Sequence, residues 1–495
     1  MKSSYSAASF STSLIAKPEQ AASPVSGKPA AGWLVKTPYI RALLLRVATH
    51  HLPLMNYPET LAWLYAQLPM YQRVGAAGFK KGLGNTEALA EALGHPERRF
   101  RSVHVAGTNG KGSSSHLLAA VLQSAGYQVG LYTSPHLREF TERIRVNGQE
   151  LAPDYLVQWV AEHQGLFAQI EPSFFEMCVA LAFDYFAAQQ VDVAIVEVGL
   201  GGRLDSTNII TPLASLITNI SYDHQAMLGN TLPEIAGEKA GIIKPGRPAI
   251  IGQTQPAVAA VFEEKARQQG SPLHFADARY HVQLAASQPD PALSGAASQV
   301  VDVRRDGQPY LPELTLGLSG DYQRLNLPGV LAVLDELRTQ GFALPEAAVR
   351  QGLAAVTRLT GLRGRWSVLG HRPLVVADTA HNEGGLRLVL AQLARVPHRA
   401  LHLVFGTVND KDVGAVLALL PRQATYYFCQ ADIPRALPAE ELAARAAAVG
   451  LLGQAYGPVA AAVAAARAAA GPEDVVFIGG STFVVAEVAE LYDTP

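Results

Sequence analysis

A short glycine-rich loop that contains one lysine limits most strongly what this chain can fold into. It reads Gly-Thr-Asn-Gly-Lys-Gly-Ser at residues 107–113, after an apolar run at 102–106 and before a helical pattern at 114–124. A strand, such a loop and a helix in this order form a cradle of backbone N–H groups for phosphates, and Lys111 can reach the terminal ones. Gly112 separates Lys111 from Ser113, unlike the strict Walker pattern, and a plain glycine-rich turn is the alternative.

Strands alternate with helices on both sides of a basic, turn-rich stretch at residues 360–366. Before it, the runs 191–198 and 213–220 are mostly apolar and β-branched, as in buried parallel strands, and residues 279–312 suggest hairpins. After it, strands are expected at 374–377, 401–405, 425–429 and 475–478. The pattern predicts a doubly wound α/β domain with the phosphate loop, an interdomain hinge, and a smaller α/β C-terminal domain.

We therefore expect a central ATP-binding domain over residues 55–360 and a C-terminal domain over 361–495, preceded by an extension at 1–54. The extension is basic and rich in serine, and Glu19 is its one acidic residue. An import sequence can have this composition. We favour a disordered tail or a rarely used upstream start codon, because Met55 opens the first regularly patterned segment.

Composition excludes several classes of function. Apolar residues make up 49% of the 495 residues and the formal net charge is −2, which predicts a globular protein without nucleic-acid or membrane partners. No uncharged apolar run reaches the length of a membrane span. The two cysteines, Cys178 and Cys429, form no disulfide framework, so we expect a reducing, cytoplasmic location. We also expect a monomer.

Two side chains near strand ends are candidate metal ligands. Glu197 follows the apolar run 191–196, and a glycine-rich segment after it allows close approach of a ligand. A carboxylate there suits Mg²⁺ on ATP phosphates, since this ion prefers hard oxygen ligands. His224, just past the next strand, is a possible second ligand. The alternatives are a solvent-facing acid and a structural histidine.

A series of short motifs resembles, in order, those of the folylpolyglutamate synthase/dihydrofolate synthase family, within the Mur ligase superfamily. Each motif is weak alone, but their common order from residue 55 to residue 436 is hard to explain by chance. The motifs lie at residues 55–61, 107–113, 133–137, 142–144, 175–177, 197–208, 223–224, 238–242, 323–326, 378–382, 410–412 and 434–436.

The resemblance implies a role for each matching residue. The ATP phosphates would be held by Asn109, Gly110, Lys111, Gly112 and Ser113, and the rest of the nucleotide by Asn326, Arg365 and Asp378. Magnesium would be bound by Ser134, Glu197, His224 and Lys239. The folate-type substrate would contact Phe175, Leu204, Asp205 and Ser206.

Lys239 matches a lysine that is carbamylated in this family, to N6-carboxylysine. A lysine that captures CO₂ becomes an oxygen ligand, which requires a neutral amine and hence a lowered pKa. The residues alone favour a surface lysine on a helix, because Glu238 and Lys244 lie nearby.

The chain departs from the family at two positions near the expected nucleotide site. Residues 320–323 read Gly-Asp-Tyr-Gln where Gly-x-His-Gln is usual, so Tyr322 replaces a histidine. Thr379 stands where glycine or asparagine is frequent. Residues 285–300 resemble a family-variable insertion.

The resemblance implies an ATP-dependent ligase that joins L-glutamate to dihydropteroate or a reduced folate through an acyl phosphate, with Lys111, Lys239 and His381 in catalysis. His381 fits a contact with phosphate or glutamate, or else a capping or structural role, equally well. A Mur ligase acting on a peptidoglycan precursor is the nearest alternative, although no sugar-nucleotide domain precedes the phosphate loop. A P-loop ATPase switch is the alternative from another class.

Overall fold

The computed structural model describes residues 55–67, 82–286, 297–409 and 413–493 of the chain. The expected extension at 1–54, most of the expected insertion at 285–300 and the motif at 410–412 lie outside these residues. The described residues belong to one unit of contacts that spans residues 54–495. Within them, no helix is long and apolar enough to cross a membrane.

The first sheet has eight strands in the order β4-β3-β2-β5-β1-β6-β7-β8. The six strands from β2 to β8 pair in parallel, and β3 and β4 extend the sheet antiparallel at one edge. The predicted parallel α/β sheet is confirmed. The strands are β1 (Arg101–Ala106), β2 (Val129–Tyr132), β3 (Ile144–Val146), β4 (Gln149–Glu150), β5 (Val193–Glu197), β6 (Ala214–Ile217), β7 (Ala249–Ile251) and β8 (Leu273–Phe275).

Helices cover both faces of this sheet, because its central strands are apolar on both sides. The helices of this part are α1 (Tyr57–Gln67), α2 (Gly84–Ala92), α3 (Lys111–Ser124), α4 (Pro153–Ile170), α5 (Phe174–Ala188), α6 (Gln225–Leu228), α7 (Leu232–Ala240), α8 (Ala259–Gln269), α9 (Ala276–Arg279), α10 (Gln323–Thr339), α11 (Glu346–Ala354) and α12 (Val356–Thr360).

A small antiparallel sheet lies where hairpins were expected. It joins β9 (Tyr280–Leu284), β10 (Gln299–Arg305) and β11 (Gln308–Leu316) in the order β11-β10-β9. Its buried residues share a hydrophobic core with α3 and α10, so this sheet stabilises the helix that begins at the phosphate loop.

The second large sheet has six strands in the order β12-β13-β17-β14-β15-β16. The sequence pattern predicts four of them and misses the two edge strands. Residues 453–458 of β16 include two glycines and a proline, so they lack the apolar pattern of a strand. The strands are β12 (Ser367–His371), β13 (Leu374–Ala377), β14 (Leu401–Phe405), β15 (Thr425–Gln430), β16 (Gly453–Pro458) and β17 (Val475–Gly479).

The helices of this second part are α13 (Glu383–Leu393), α14 (Val413–Leu419), α15 (Ala439–Ala448), α16 (Val459–Ala469), α17 (Thr482–Ala486) and α18 (Glu490–Asp493). They lie over two hydrophobic clusters, one on each face of the second sheet. Residues 361–366 connect the two parts, and the left-handed backbone of Gly361 ends α12.

Candidate active site

The glycine-rich loop joins β1 to α3 and needs glycine at two positions. Gly107 and Gly110 have φ values of 141° and 85°. A Cβ at Gly107 would lie 1.9 Å from Thr218 Oγ1, and one at Gly110 would lie 2.2 Å from Asn326 Oδ1. The loop therefore packs tightly against its neighbours, and Lys111 Nζ donates to Gly107 O at 3.1 Å. This is the backbone arrangement that phosphate binding requires.

Glu197 ends β5 and faces this loop. It accepts a hydrogen bond from the Ser134 backbone N–H at 3.3 Å. A Cβ at Gly112 would lie 3.4 Å from Arg365 Nη2 and 3.7 Å from Glu197 Oε2, so both charged groups lie close to the loop at this position. Burial raises the pKa of Glu197 to about 7, although Lys111 opposes this shift. A divalent cation beside this carboxylate would favour its ionised form.

Lys239 is buried, with 4% of its surface exposed, which makes the surface-lysine alternative wrong. It lies in the last turn of α7, below the glycine-rich segment after β5: a Cβ at Gly202 would lie 3.0 Å from Lys239 O. Burial is the largest cause that lowers its pKa to about 7, followed by repulsion from Lys111, while Asp223 and Asp205 oppose the shift. A substantial fraction of its amine is therefore neutral near neutral pH, as reaction with CO₂ requires.

A first cavity of about 240 Å³ lies between the two parts of the molecule. Its apolar and acidic wall comes from the first part and includes Phe174, Phe175, Leu204, Asp205 and Ser206, together with Arg143, His224 and Lys239. The second part contributes His381, Val408, Arg435, Gly480, Ser481, Thr482 and Phe483. The cavity thus offers an apolar slot, the carboxylates of Glu176, Asp205 and Asp223, and two guanidinium groups.

Asp205 is held rigidly at the wall of this cavity. Its Oδ2 accepts from Leu200 N at 2.8 Å, and its Oδ1 accepts from Thr207 N at 3.0 Å and Thr207 Oγ1 at 2.5 Å. Because the Thr207 hydroxyl donates to Asp205, it accepts from His104 Nε2, which lies 2.8 Å away. Burial lowers the pKa of His104 to about 3, so this ring is neutral. The sequence analysis missed His104 and Thr207; a polar residue within the apolar run 102–106 was the available signal.

Glu142 and Arg143 hold the segment that carries Ser134. The Glu142 carboxylate accepts from the backbone N–H groups of residues 137, 138 and 139 at 2.8, 2.9 and 2.8 Å. Arg143 Nε donates to His136 Nδ1 at 2.8 Å. Arg143 is 2% exposed and also lines the first cavity. The motif at 142–144 therefore holds the motif at 133–137 in place. Arg143 is also a cation that sequence analysis did not assign to the site.

A second cavity of about 190 Å³ lies on the other side of the glycine-rich loop. The expected nucleotide residues line it: Asn109, Gly110, Lys111, Gly112, Ser113, Asn326, Arg365 and Asp378. The Ser113 hydroxyl is buried and accepts from Gln323 Nε2 at 3.1 Å. Arg365 Nη1 donates to the hydroxyl of Thr379, which in turn donates to Gly364 O at 3.0 Å. Thr379 therefore fixes Arg365 towards the loop.

His381 precedes α13 and lines both cavities. Its Nδ1 lies 2.9 Å from Thr379 O, and its Nε2 lies 3.8 Å from Asp223 Oδ2. The capping alternative for His381 is wrong, because Asn382 caps α13 through its Oδ1, which accepts from Gly385 N. Asn382 Nδ2 also donates to Asn109 Oδ1 at 3.0 Å, so this cap joins the second part to the glycine-rich loop.

The expected metal ligands surround the boundary between the cavities. Ser134 lines both cavities, Glu197 lines the second, and His224 and Lys239 line the first. Among the described residues, no three His, Cys, Asp or Glu side chains gather as a metal site. A carbamate on Lys239 would add the missing oxygen donors, so the residues fit a hard divalent cation when this lysine is modified.

Comparisons with known proteins agree with this geometry. Residues 105–334 match the Mur ligase middle domain, and residues 364–482 match the Mur ligase glutamate ligase domain. The chain is 36% identical over 399 residues to the dihydrofolate synthase/folylpolyglutamate synthase of Bacillus subtilis, covering 78% of this chain and 88% of that protein. It spans half the length of a protein from Haloferax volcanii named as a probable bifunctional folylpolyglutamate synthase/dihydropteroate synthase, at 36% identity over 444 residues and 88% of this chain.

Solved structures are similar over nearly their whole length. The E. coli FolC protein in complex with DHPP and ADP has a TM-score of 0.77 at 31% identity, covering 89% of this chain and 98% of that one. A bifunctional folylpolyglutamate synthase/dihydrofolate synthase with Mn, AMPPNP and L-glutamate bound has a TM-score of 0.74 at 31% identity, covering 88% and 97%. The chain belongs to the folylpolyglutamate synthase/dihydrofolate synthase family of Mur-type, ATP-dependent ligases.

Proposed function

We propose that this protein uses ATP to join L-glutamate to the carboxylate of a folate-type substrate, releasing ADP and phosphate. One observation carries the proposal: the two cavities meet at Lys111, Ser134 and His381, which line both. A nucleotide in the second cavity would direct its terminal phosphate towards an acyl substrate in the first. The two solved structures described above hold, between them, ADP or AMPPNP, DHPP and L-glutamate.

ATP binds in the second cavity. The backbone of residues 109–113 surrounds its phosphates, and the N-terminus of α3 adds positive potential. Lys111 exchanges its contact with Gly107 O for the terminal phosphates. Asn326 contacts the adenine, and Arg365 and Asp378 reach the nucleotide from the second part.

Ser134, Glu197, His224 and a carbamate on Lys239 would hold Mg²⁺. The carbamate forms when the neutral amine attacks CO₂ and loses a proton. When bound, the ion neutralises phosphate charge and lets the substrate carboxylate approach. This chain's own contribution is to bury Glu197 and Lys239, because removal from water favours the neutral amine that CO₂ requires and strengthens the attraction between a carboxylate and a cation.

The folate-type substrate, dihydropteroate or a reduced folate, occupies the first cavity. Phe175 lies against the backbone of Gly199, where a Cβ would be 2.3 Å from the ring, and this creates a flat apolar surface. When ionised, the Asp205 carboxylate only accepts hydrogen bonds, and so it selects a ring with N–H groups. Donors of residues 199, 200 and 207 fix its orientation. Leu204 and Ser206 flank it.

The reaction then proceeds in two steps. A carboxylate oxygen of the substrate attacks the γ-phosphorus, ADP leaves, and an acyl phosphate forms. The glutamate amine attacks the acyl carbon, loses a proton, and phosphate leaves with the carboxylate oxygen. Lys111 and Arg365 stabilise the phosphoryl charge, and Arg143 and Arg435 supply cations for the carboxylates of the incoming glutamate. His381, at the junction of the cavities, contacts the phosphate or the glutamate.

An assay of ADP release tests this function. Release should require both glutamate and a pterin-bearing carboxylate, and ¹⁸O placed in that carboxylate should appear in the phosphate. ATP turnover without glutamate would favour a P-loop switch instead. Formation of AMP and pyrophosphate, or phosphate free of label, would exclude the acyl-phosphate route. A panel of dihydropteroate, tetrahydrofolate and its one-carbon forms then identifies the substrate.

A further inference from the structure

Tyr322, which replaces the usual histidine of the family motif, lies between the two parts of the molecule. It precedes α10 of the first part, and its ring lies over Gly320, where a Cβ would be 2.7 Å from the ring. The same ring packs against the hydrophobic core of the second sheet. Tyr322 therefore touches both parts, and it also lines the second cavity.

The hydroxyl of Tyr322 binds Asp378, the residue that follows β13 of the second part. It donates to Asp378 Oδ2 at 2.5 Å. Asp378 Oδ2 also accepts from Trp366 N at 2.8 Å, and its Oδ1 accepts from Ala380 N at 2.8 Å. A carboxylate has about four acceptor positions, so three are committed and Oδ1 keeps one. The buried Asp378 side chain is thus held in one orientation.

We propose that Tyr322 is a positioning residue for the nucleotide: its hydroxyl fixes Asp378 so that the remaining acceptor faces ATP. The inference rests on the proposed ATP site. Tyr322 provides the one side-chain donor among these three hydrogen bonds, and the other two come from the backbone of Trp366, at the end of the connecting segment, and of Ala380 in the second part. The bond therefore holds Asp378 against the first part, where the glycine-rich loop binds the phosphates.

Tyr322→Phe tests the role of the hydroxyl, because phenylalanine keeps the ring that packs on Gly320. Calorimetric titration of the full chain with ADP and Mg²⁺ should show binding about tenfold weaker, as for loss of a hydrogen bond to a charged group. The matched control is Tyr280→Phe, which removes another tyrosine hydroxyl that donates to a carboxylate, that of Asp335. Neither residue of this second pair lines the first or the second cavity, so the control should bind ADP as the wild type does.

A double-mutant cycle separates positioning from packing. If Tyr322 acts through Asp378, adding Tyr322→Phe to Asp378→Asn should weaken ADP binding by less than about threefold further. In steady-state assays Tyr322→Phe should raise KM for ATP and leave KM for glutamate and kcat nearly unchanged. Tyr322→His, which keeps a ring donor, should bind ADP more tightly than Tyr322→Phe and provides a second variant if the latter folds poorly.

The possible outcomes are distinct. If the wild type binds ADP and Tyr322→Phe binds it with the same affinity, the inference is overturned and the proposed function stays intact. The inference would also be overturned if the fold-losses of ADP affinity in the two single variants multiply in the double variant, because Tyr322 would then act independently of Asp378. A wild-type chain that binds no ADP would overturn the nucleotide site itself, and the inference with it.

Discussion

Replacing Lys239 by alanine should lower kcat by about a hundredfold or more, because the metal would lose an oxygen ligand. The amine of Lys239 can react with CO₂ because burial lowers its pKa from 10.5 to about 7. At about 1.4 kcal/mol per pKa unit, burial disfavours the ammonium by about 5 kcal/mol. At pH 7.5 about three quarters of the amine is then neutral, against roughly 0.1% for an ordinary lysine.

The carbamate can be measured directly. Wild-type protein in ¹³C-bicarbonate should show a carbamate carbon by NMR, and activity lost in CO₂-free buffer should return when bicarbonate is added. Activation by CO₂ should weaken as the pH falls below about 7, because the amine is then protonated and cannot attack CO₂. Lys244→Ala is the matched control, because Lys244 is a nearby, partly buried lysine that lines neither cavity. That variant should keep both the signal and the activity.

Two results would refute this reasoning. One is full activity in Lys239→Ala, which would show that the metal site does not need an oxygen donor at this position. The other is an active wild-type protein without bound ¹³C, which would show that an unmodified lysine suffices. Small carboxylates such as formate offer an independent check, since they should partly restore activity to Lys239→Ala by supplying the oxygen donor.

Other substitutions test other parts of the site and chain. Lys111→Ala should lower kcat about a hundredfold or more, since stabilising phosphate charge contributes on the order of 3 kcal/mol; a smaller loss in single-turnover ADP formation would contradict its role. His104 has a pKa of about 3 when folded and about 6.5 when unfolded, so the unfolded state alone takes up its proton as the pH falls from 7 to 5. The wild type should thereby lose about 2 kcal/mol of stability that His104→Gln does not lose. Urea unfolding of both proteins at the two pH values should show that the difference between their free energies of unfolding shrinks at pH 5. A difference that stays constant would contradict this prediction. A chain that begins at Met55 should keep its ligase rate within about tenfold, equal to ~1.4 kcal/mol; a larger loss would show that residues 1–54 contribute to activity.

Local patterns determined the architecture near the phosphate loop. The apolar run at 102–106, the glycines of 107–113 and the helical pattern that follows specify β1, the loop and α3, since period and backbone freedom are properties of adjacent residues. The same logic predicted β5, β6 and four strands of the second sheet. The resemblance then supplied roles for residues that no local pattern could assign, such as Asn326 and Arg365.

Local patterns fail where the surroundings, rather than the residue, decide. The sequence alone allowed Lys239 to be a surface lysine and His381 to be a helix cap, whereas the fold buries the first and gives the cap to Asn382. Edge strand β16 was also not predicted, because its glycines and proline form a strand only beside β15.

The sequence by itself therefore determined the α/β class, the phosphate loop and the order of the motifs. Only the tertiary structure decided which side chains share a cavity: Arg143 and Arg435 are far apart in sequence, and they line one cavity because two separate sheets meet there. It also decided the shifted pKa values of Glu197 and Lys239. A pKa depends on desolvation and on charges contributed by distant segments, and neither is encoded in the neighbouring residues of the chain.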